Sequence, residues 1–182
     1  ASIWQDVAGT GTITSASYGG QALTKATSTR MLGIAEEVWY LVNPPTGSNT
    51  VSVTVTGATD AIKLISTSWT GVDQSTPLPV YASALGATGN PSVSLTTTST
   101  NNVVLTSLDR FSTTNATTNR TSIIKDLTGS LLAATSYQQA STTGLYSDTY
   151  TGSANQDWSM IAVAVKPAST GGGGGSATTT IH

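Results

Sequence analysis

The adjacent carboxylates Glu36 and Glu37 are the first residues of this sequence that could do chemistry. Two carboxylates hydrolyse a glycosidic bond when they face each other about 5–9 Å apart across a cleft. Neighbouring residues of a strand point to opposite faces of a sheet, so these two do not form such a pair. The other acids are scattered near predicted strand ends, where we expect solvated turn residues: Asp6, Asp60, Asp73, Asp109, Asp126, Asp148 and Asp157.

The chain lacks the side chains that other common active sites require. It contains no cysteine, and its single histidine is the final residue, His182. A zinc site needs cysteine or several histidines, and a Ser-His-Asp triad needs an internal histidine. Asp73 could supply one calcium oxygen, but calcium takes about six to eight oxygens with several carboxylates. We therefore predict no catalytic residue, no metal site and no cofactor, and we expect a protein that is not an enzyme.

The tryptophans offer aromatic rings that could stack on sugars. Trp39 and Trp158 lie in segments that are apolar on both sides, so we expect their rings in the core. Trp69 stands at the end of a predicted strand beside hydroxyl side chains, and Trp4 lies in the first strand. A ring with an open face suits a ligand, so Trp69 and Trp4 are the candidate ligand-binding residues.

Weak charge and abundant hydroxyls characterise the whole chain. Its 182 residues include 35 Thr and 24 Ser, and charged residues make up 9%, against about 25% in an average soluble protein. Lys and Arg number 7 and Asp and Glu number 9, so the basic surface of a nucleic-acid-binding protein is excluded. The sequence contains no run of about 18 apolar residues, which predicts no membrane insertion.

The strands that must position these residues are predicted mainly from the alternation of apolar and polar residues with a period of two. Residues 50–56 alternate valine with Thr or Ser, whereas 34–42 and 158–166 are apolar on both faces and are typical of central strands. Short strands between Gly, Pro and Asn turns predict an all-β domain over residues 1–167, an antiparallel two-sheet β-sandwich, jelly-roll-like, with about ten to twelve strands. Residues 168–182 are rich in Gly, Ser and Thr, and predict a linker or C-terminal tail.

Two segments carry strong turn signals. After the strand over 34–42, two prolines remove ladder donors and a following glycine permits a positive φ. Around residues 71–73, a glycine precedes an aspartate whose side chain can accept hydrogen bonds from the backbone ahead of it. These signals assign turn roles to Asn43, Pro44, Pro45, Gly47, Gly71 and Asp73.

Four segments form a set of motifs in a fixed order. They are YGGQALTK at 18–25, VWYLVNPPTG at 38–47, TGVDQSTP at 70–77 and WSMIAVAVKP at 158–167. Together they resemble a recurrent all-β module of large secreted bacterial proteins and of phage virion proteins. The resemblance implies a β-sandwich used for display, adhesion or particle assembly. In similar modules an apolar strand precedes the segment that corresponds to residues 1–4, so the resemblance implies an incomplete first strand here. Either upstream sequence was removed or a neighbouring molecule supplies the missing edge.

These observations lead to two functional hypotheses. The first is a structural or interaction module of an extracellular fibre, surface array or virion, which assembles with copies of itself or sibling domains. An incomplete strand leaves an edge that recruits partners, and the candidate strand-exchange positions are Ile3, Trp4, Thr179 and Ile181. The alternative is a carbohydrate-binding or adhesion module whose partners are cell-surface glycans. Both place the protein outside the cell, at the cell surface or in a phage particle.

Overall fold

A computed structural model describes residues 2–8, 11–31, 33–57, 62–152, 156–169 and 178–181, the first and last of these ranges by their backbone alone. Within these ranges the regular secondary structure consists of strands, so the predicted all-β class is confirmed.

The described residues form sixteen strands. In chain order they are β1 (Ser2–Ala8), β2 (Thr12–Tyr18), β3 (Gln21–Ala22), β4 (Thr24–Met31), β5 (Ile34–Leu41), β6 (Val51–Thr56), β7 (Ile62–Thr70), β8 (Tyr81–Gly86), β9 (Ser92–Thr97), β10 (Asn102–Phe111), β11 (Thr117–Thr118), β12 (Thr121–Thr128), β13 (Leu131–Ala140), β14 (Gly144–Thr151), β15 (Trp158–Val165) and β16 (Thr178–Ile181).

The strands form four sheets, and every strand pair is antiparallel. The first sheet has the order β16-β7-β1-β5-β4, and the central sheet has the order β12-β13-β10-β15-β8. The outer sheet is β11-β14-β9, and the small sheet is β3-β2-β6. The structure therefore holds more strands and more sheets than the sequence predicts.

The four sheets pack on one another through apolar clusters. Trp39 of β5 packs with Ile13 of the small sheet, while Val38, its neighbour in β5, packs against Ile161 of the central sheet. On the opposite face of the central sheet, Met160 packs with strands of the outer sheet. Successive residues of β5 and β15 thus enter different layers. This is why their sequences are apolar on both faces, as expected for buried strands.

Surface strands show the alternation that the sequence predicts. In β6 the valines are half-buried and the intervening hydroxyl residues are exposed. The valines pack in the same cluster as Trp39, which fixes the register because a one-residue slip would exchange the two faces. Strand β8 was not predicted, because two alanines in its Tyr-Ala-Ser-Ala-Leu sequence give a weak alternation signal.

Strand β8 ends at a close contact between two residues. Gly86 pairs with Trp158 of β15, and a Cβ atom added at Gly86 would lie 2.5 Å from the Trp158 ring. Real Cβ atoms do not approach that closely, so the indole ring lies where any other side chain would begin. The Trp158 Nε1 then donates to the carbonyl oxygen of Thr88, 3.1 Å away, which fixes the ring.

Candidate functional site

The central sheet carries polar residues in the middle of its buried strands, and these form the candidate site. On the face toward the first sheet, Ser107 and Asp109 of β10 lie beside Ser159 of β15. On the face toward the outer sheet, Thr106 of β10 pairs with Ser136 of β13. All five side chains are buried, so each needs a polar partner to offset the loss of water.

Glu36 brings a carboxyl group from the first sheet onto the first of these faces. It is 0% exposed, and it accepts hydrogen bonds from Ser107 Oγ through Oε1 and from Ser159 Oγ through Oε2, the latter at 3.1 Å. Two sheets are therefore connected through a single carboxyl group. We call Glu36, Ser107, Asp109 and Ser159 the glutamate cluster.

Burial, a second carboxylate and a hydroxyl donor set the protonation of Glu36. Burial raises its pKa well above the ordinary value of 4.5, and the nearby negative charge of Asp109 raises it further. The hydrogen bond from Ser159 lowers the pKa, but its effect is smaller. The first two causes dominate, so the interior favours the neutral, protonated form of Glu36.

Asp148 of β14 occupies the corresponding place on the other face of the central sheet. It is 2% exposed, and its Oδ2 accepts hydrogen bonds from Thr106 Oγ1 and Ser136 Oγ. Its Oδ1 accepts a third from Thr118 Oγ1 at 2.6 Å. The Thr106 and Ser136 hydroxyl oxygens lie 2.7 Å from each other. We call Asp148 and these three hydroxyl residues the aspartate cluster.

The burial of Asp109 and Asp148 corrects the expectation that the scattered acids are solvated turn residues. They are 0% and 2% exposed and lie between sheets. The opposite orientation of Glu36 and Glu37 is confirmed, since Glu37 faces the small sheet and binds Lys25 Nζ at 2.8 Å and Trp39 Nε1 at 2.8 Å. The sequence did not reveal the two partners of Glu36, Ser107 and Ser159, which two distant strands supply. The available signal was a polar residue within an otherwise apolar strand.

The tryptophans predicted for the core are there, and one candidate ligand-binding residue is corrected. Trp39 and Trp158 are each 8% exposed. Trp69 is 3% exposed, its Nε1 donates to Thr67 Oγ1 at 2.9 Å, and its ring meets Tyr137 edge-on. It therefore presents no open ring face to a ligand, because the central sheet packs on this side of β7. The side chain of Trp4 lies outside the described residues.

The assigned turn residues adopt turn geometry. Asn43, Gly47 and Gly71 have positive φ values of 50°, 83° and 67°. Asp73 Oδ1 accepts hydrogen bonds from the backbone N–H groups of Ser75 and Thr76, as predicted. The hydrogen-bonded ion pair with Lys166, at 2.8 Å, and then these two backbone bonds lower the pKa of Asp73 to about 2. Pro44 and Pro45 lie in the same irregular connection between β5 and β6.

Two of the four candidate strand-exchange positions are corrected. Ile3 and Trp4 lie in β1, which pairs with both β5 and β7 and is an interior strand. The sequence reasoning failed because β7 returns to pair with β1, a long-range contact that alternation does not specify. Thr179 and Ile181 do lie in an edge strand, β16, which pairs with β7.

Two other kinds of site are absent from the described ranges. No group of three or more Asp, Glu, His or Cys residues there is placed to hold a metal ion. None of those residues belongs to a helix long and apolar enough to cross a membrane.

No family model, no curated protein and no solved structure matches this chain. The function must therefore be argued from its own residues.

Proposed function

We propose that this protein is a non-enzymatic structural module that assembles with like subunits. The single observation that carries the proposal is the use of the buried carboxyl groups. Glu36 and Asp148 each connect a sheet to the central sheet through hydroxyl donors, and both are buried. A catalytic carboxylate must reach a substrate, whereas these two stabilise the packing of layers.

The outer surface supports the same proposal. On the exposed face of the outer sheet, hydroxyl groups pair across strands, Ser94 with Ser147 at 2.7 Å and Thr117 with Thr151 at 2.7 Å. Such pairs leave a neutral surface with little charge to repel a neighbouring copy. The resemblance of the four sequence segments to modules of secreted bacterial and phage virion proteins favours a role in a fibre, surface array or particle. We also propose that the domain that performs this role is a β-sandwich of the jelly-roll-like form.

The test is the mass of the protein in solution over a wide concentration range. Size-exclusion chromatography with light scattering should show a mass that rises above that of one chain, 18.5 kDa, as concentration increases. Electron microscopy of the concentrated sample should show repeating units. A mass that stays at one chain at millimolar concentration rejects self-assembly of this chain.

The alternative, a carbohydrate-binding module, depends on exposed aromatic rings. The burial of Trp69 removes one of the two candidate rings, and Trp39 and Trp158 are buried as expected. A glycan array tests the remaining candidate ring, that of Trp4. Binding that is lost in Trp4→Ala would favour it, and an array without signal would reject it.

A further inference from the structure

Strand β8 of the central sheet has an edge without a pairing strand among the described residues. β8 is the last strand in the sheet order and pairs only with β15 there. The N–H of Ala164 donates to the carbonyl oxygen of Val80 at 3.0 Å, so Val80 faces β15. Backbone groups alternate in direction along an antiparallel strand. The N–H and C=O groups of Tyr81, Ser83 and Leu85 therefore point away from β15, toward the open edge.

The same three residues expose their side chains. Tyr81 is 56% exposed and Leu85 is 44% exposed, and Ser83 between them is also exposed. The alanines between these positions pack inward against the cluster of the central and outer sheets. The open edge thus combines backbone groups that can pair with large apolar side chains that water covers poorly.

Other edge strands carry features that discourage pairing. β4 has a register shift between Lys25 and Thr27, and β12 has one between Ser122 and Ile124, next to the charge of Lys125. Bulges and charges of this kind protect an edge from association.

The strands β6 and β9 are also uncharged edges, but their exposed residues are Ser and Thr. Among the edge strands with described side chains, β8 alone joins a regular, uncharged edge to large exposed apolar residues.

The sequence of β8 suits a second copy of the same strand. Two antiparallel copies related by a two-fold axis through Ser83 place Tyr81 of each opposite Leu85 of the other, and Ser83 opposite Ser83. All three pairs fall at positions whose backbone groups point to the edge, so each pair exchanges two backbone hydrogen bonds. The apolar side chains meet each other, and the serines meet at the axis.

We propose that this protein dimerises through antiparallel pairing of β8 with β8 of a second copy, which joins two central sheets into one continuous sheet. This inference rests on the proposed self-assembly, and it assigns one contact of that assembly to the open edge of β8.

A disulfide at the axis tests the geometry directly, because the chain has no cysteine of its own. In the proposed register the Cα atoms of the two Ser83 residues are about 5.5 Å apart, within the range of disulfides. Ser83→Cys should form a covalent dimer under mild oxidation. Ser94→Cys, at an exposed serine of β9, is the matched control and should form at least about fivefold less. Equal dimer fractions in the two variants would overturn the inference.

A charge at the edge provides the second test. Ser83→Lys places two like charges at the axis and should lower the dimer fraction by at least about tenfold, whereas Ser94→Lys should leave it unchanged. Thermal unfolding of both variants confirms that each is folded. If the wild-type chain assembles and Ser83→Lys assembles equally, the β8 contact is wrong while self-assembly stands. If the wild-type chain is a strict monomer, the proposed function itself fails.

Discussion

The two faces of the central sheet bury a carboxyl group in different ways. On one face, Glu36 receives two serine hydroxyls and lies near a second carboxyl group, that of Asp109. On the other, Asp148 receives three hydroxyl groups. A buried carboxylate is stable when enough donors replace its water, and hydrogen bonds to a charged group are stronger than neutral ones. The aspartate cluster places three hydroxyl donors around its carboxyl group, whereas burial and a neighbouring negative charge oppose ionisation of Glu36 in the glutamate cluster.

The comparison shows what the many hydroxyl residues contribute inside this protein. Serine and threonine at the centres of β10, β13 and β15 donate hydrogen bonds to the acids that connect the layers. The two clusters differ in how many hydroxyl groups surround the acid and in whether a second carboxyl group lies near it. The following predictions are ordered from the largest expected effect to the smallest.

Replacement of the acid in the aspartate cluster should have the largest effect. Asp148→Ala leaves the hydroxyls of Thr106, Ser136 and Thr118 without their shared acceptor. Each buried group that loses its partner costs about 1–3 kcal/mol, and one of Thr106 and Ser136 can then donate to the other, so we expect a loss of about 3 kcal/mol. Urea unfolding followed by tryptophan fluorescence measures it. Asp148→Asn keeps the shape and an acceptor and should lose less; an equal loss would contradict the role of the hydroxyl bonds.

The glutamate cluster should make stability depend on pH. The pKa of Glu36 is raised above its ordinary value of 4.5, so at pH values between the two the folded protein holds a proton that the unfolded chain has released. The contribution of the protonated group is therefore complete below pH 4.5 and is lost as pH rises toward the folded pKa. The slope is at most about 1.4 kcal/mol per pH unit. Glu36→Gln cannot ionise, so its stability should not fall in this way.

Urea unfolding at intervals from about pH 5 to about pH 8 measures this slope. Asp73→Asn is the control, because the pKa of Asp73 is lowered from 3.8 to about 2 and its contribution is lost only as pH falls through that lower range. The control should keep the wild-type slope. If Glu36→Gln also keeps it, the glutamate cluster does not hold the proton.

The smallest effect is expected on the exposed face of the outer sheet. Ser94→Ala removes one hydrogen bond, that between Ser94 and Ser147, where water can replace the lost partner. We expect a change below about 0.5 kcal/mol. The buried counterpart, Ser136→Ala, should cost more because its bonds lie between sheets. A thermal unfolding series compares the two, and equal losses would show that burial is not what separates them.

Local patterning was sufficient to predict most strands of this fold. The alternation of β6 and the two-sided apolar character of β5 and β15 follow from which layers cover each face. The turns at Asn43 and Asp73 were also predictable, because backbone sterics and short-range hydrogen bonds determine them.

The partners across layers could not be predicted in this way. The contact of Glu36 with Ser107 and Ser159 joins three strands that are distant in the sequence, and it depends on how sheets stack. Alternation indicates on which face of its strand a side chain lies, but it does not indicate which sheet packs against that face. The same limit explains why β1 was expected at an edge, whereas it lies between β5 and β7.

The contact between Gly86 and Trp158 defines a boundary on the surface of the molecule. Because the indole ring occupies the space of a side chain at position 86, only glycine ends β8 without displacing Trp158 from β15. The open edge of β8 ends at this residue. A substitution at this half-buried position would disturb the end of the contact available to a second copy through Trp158, because any side chain there meets the indole ring first.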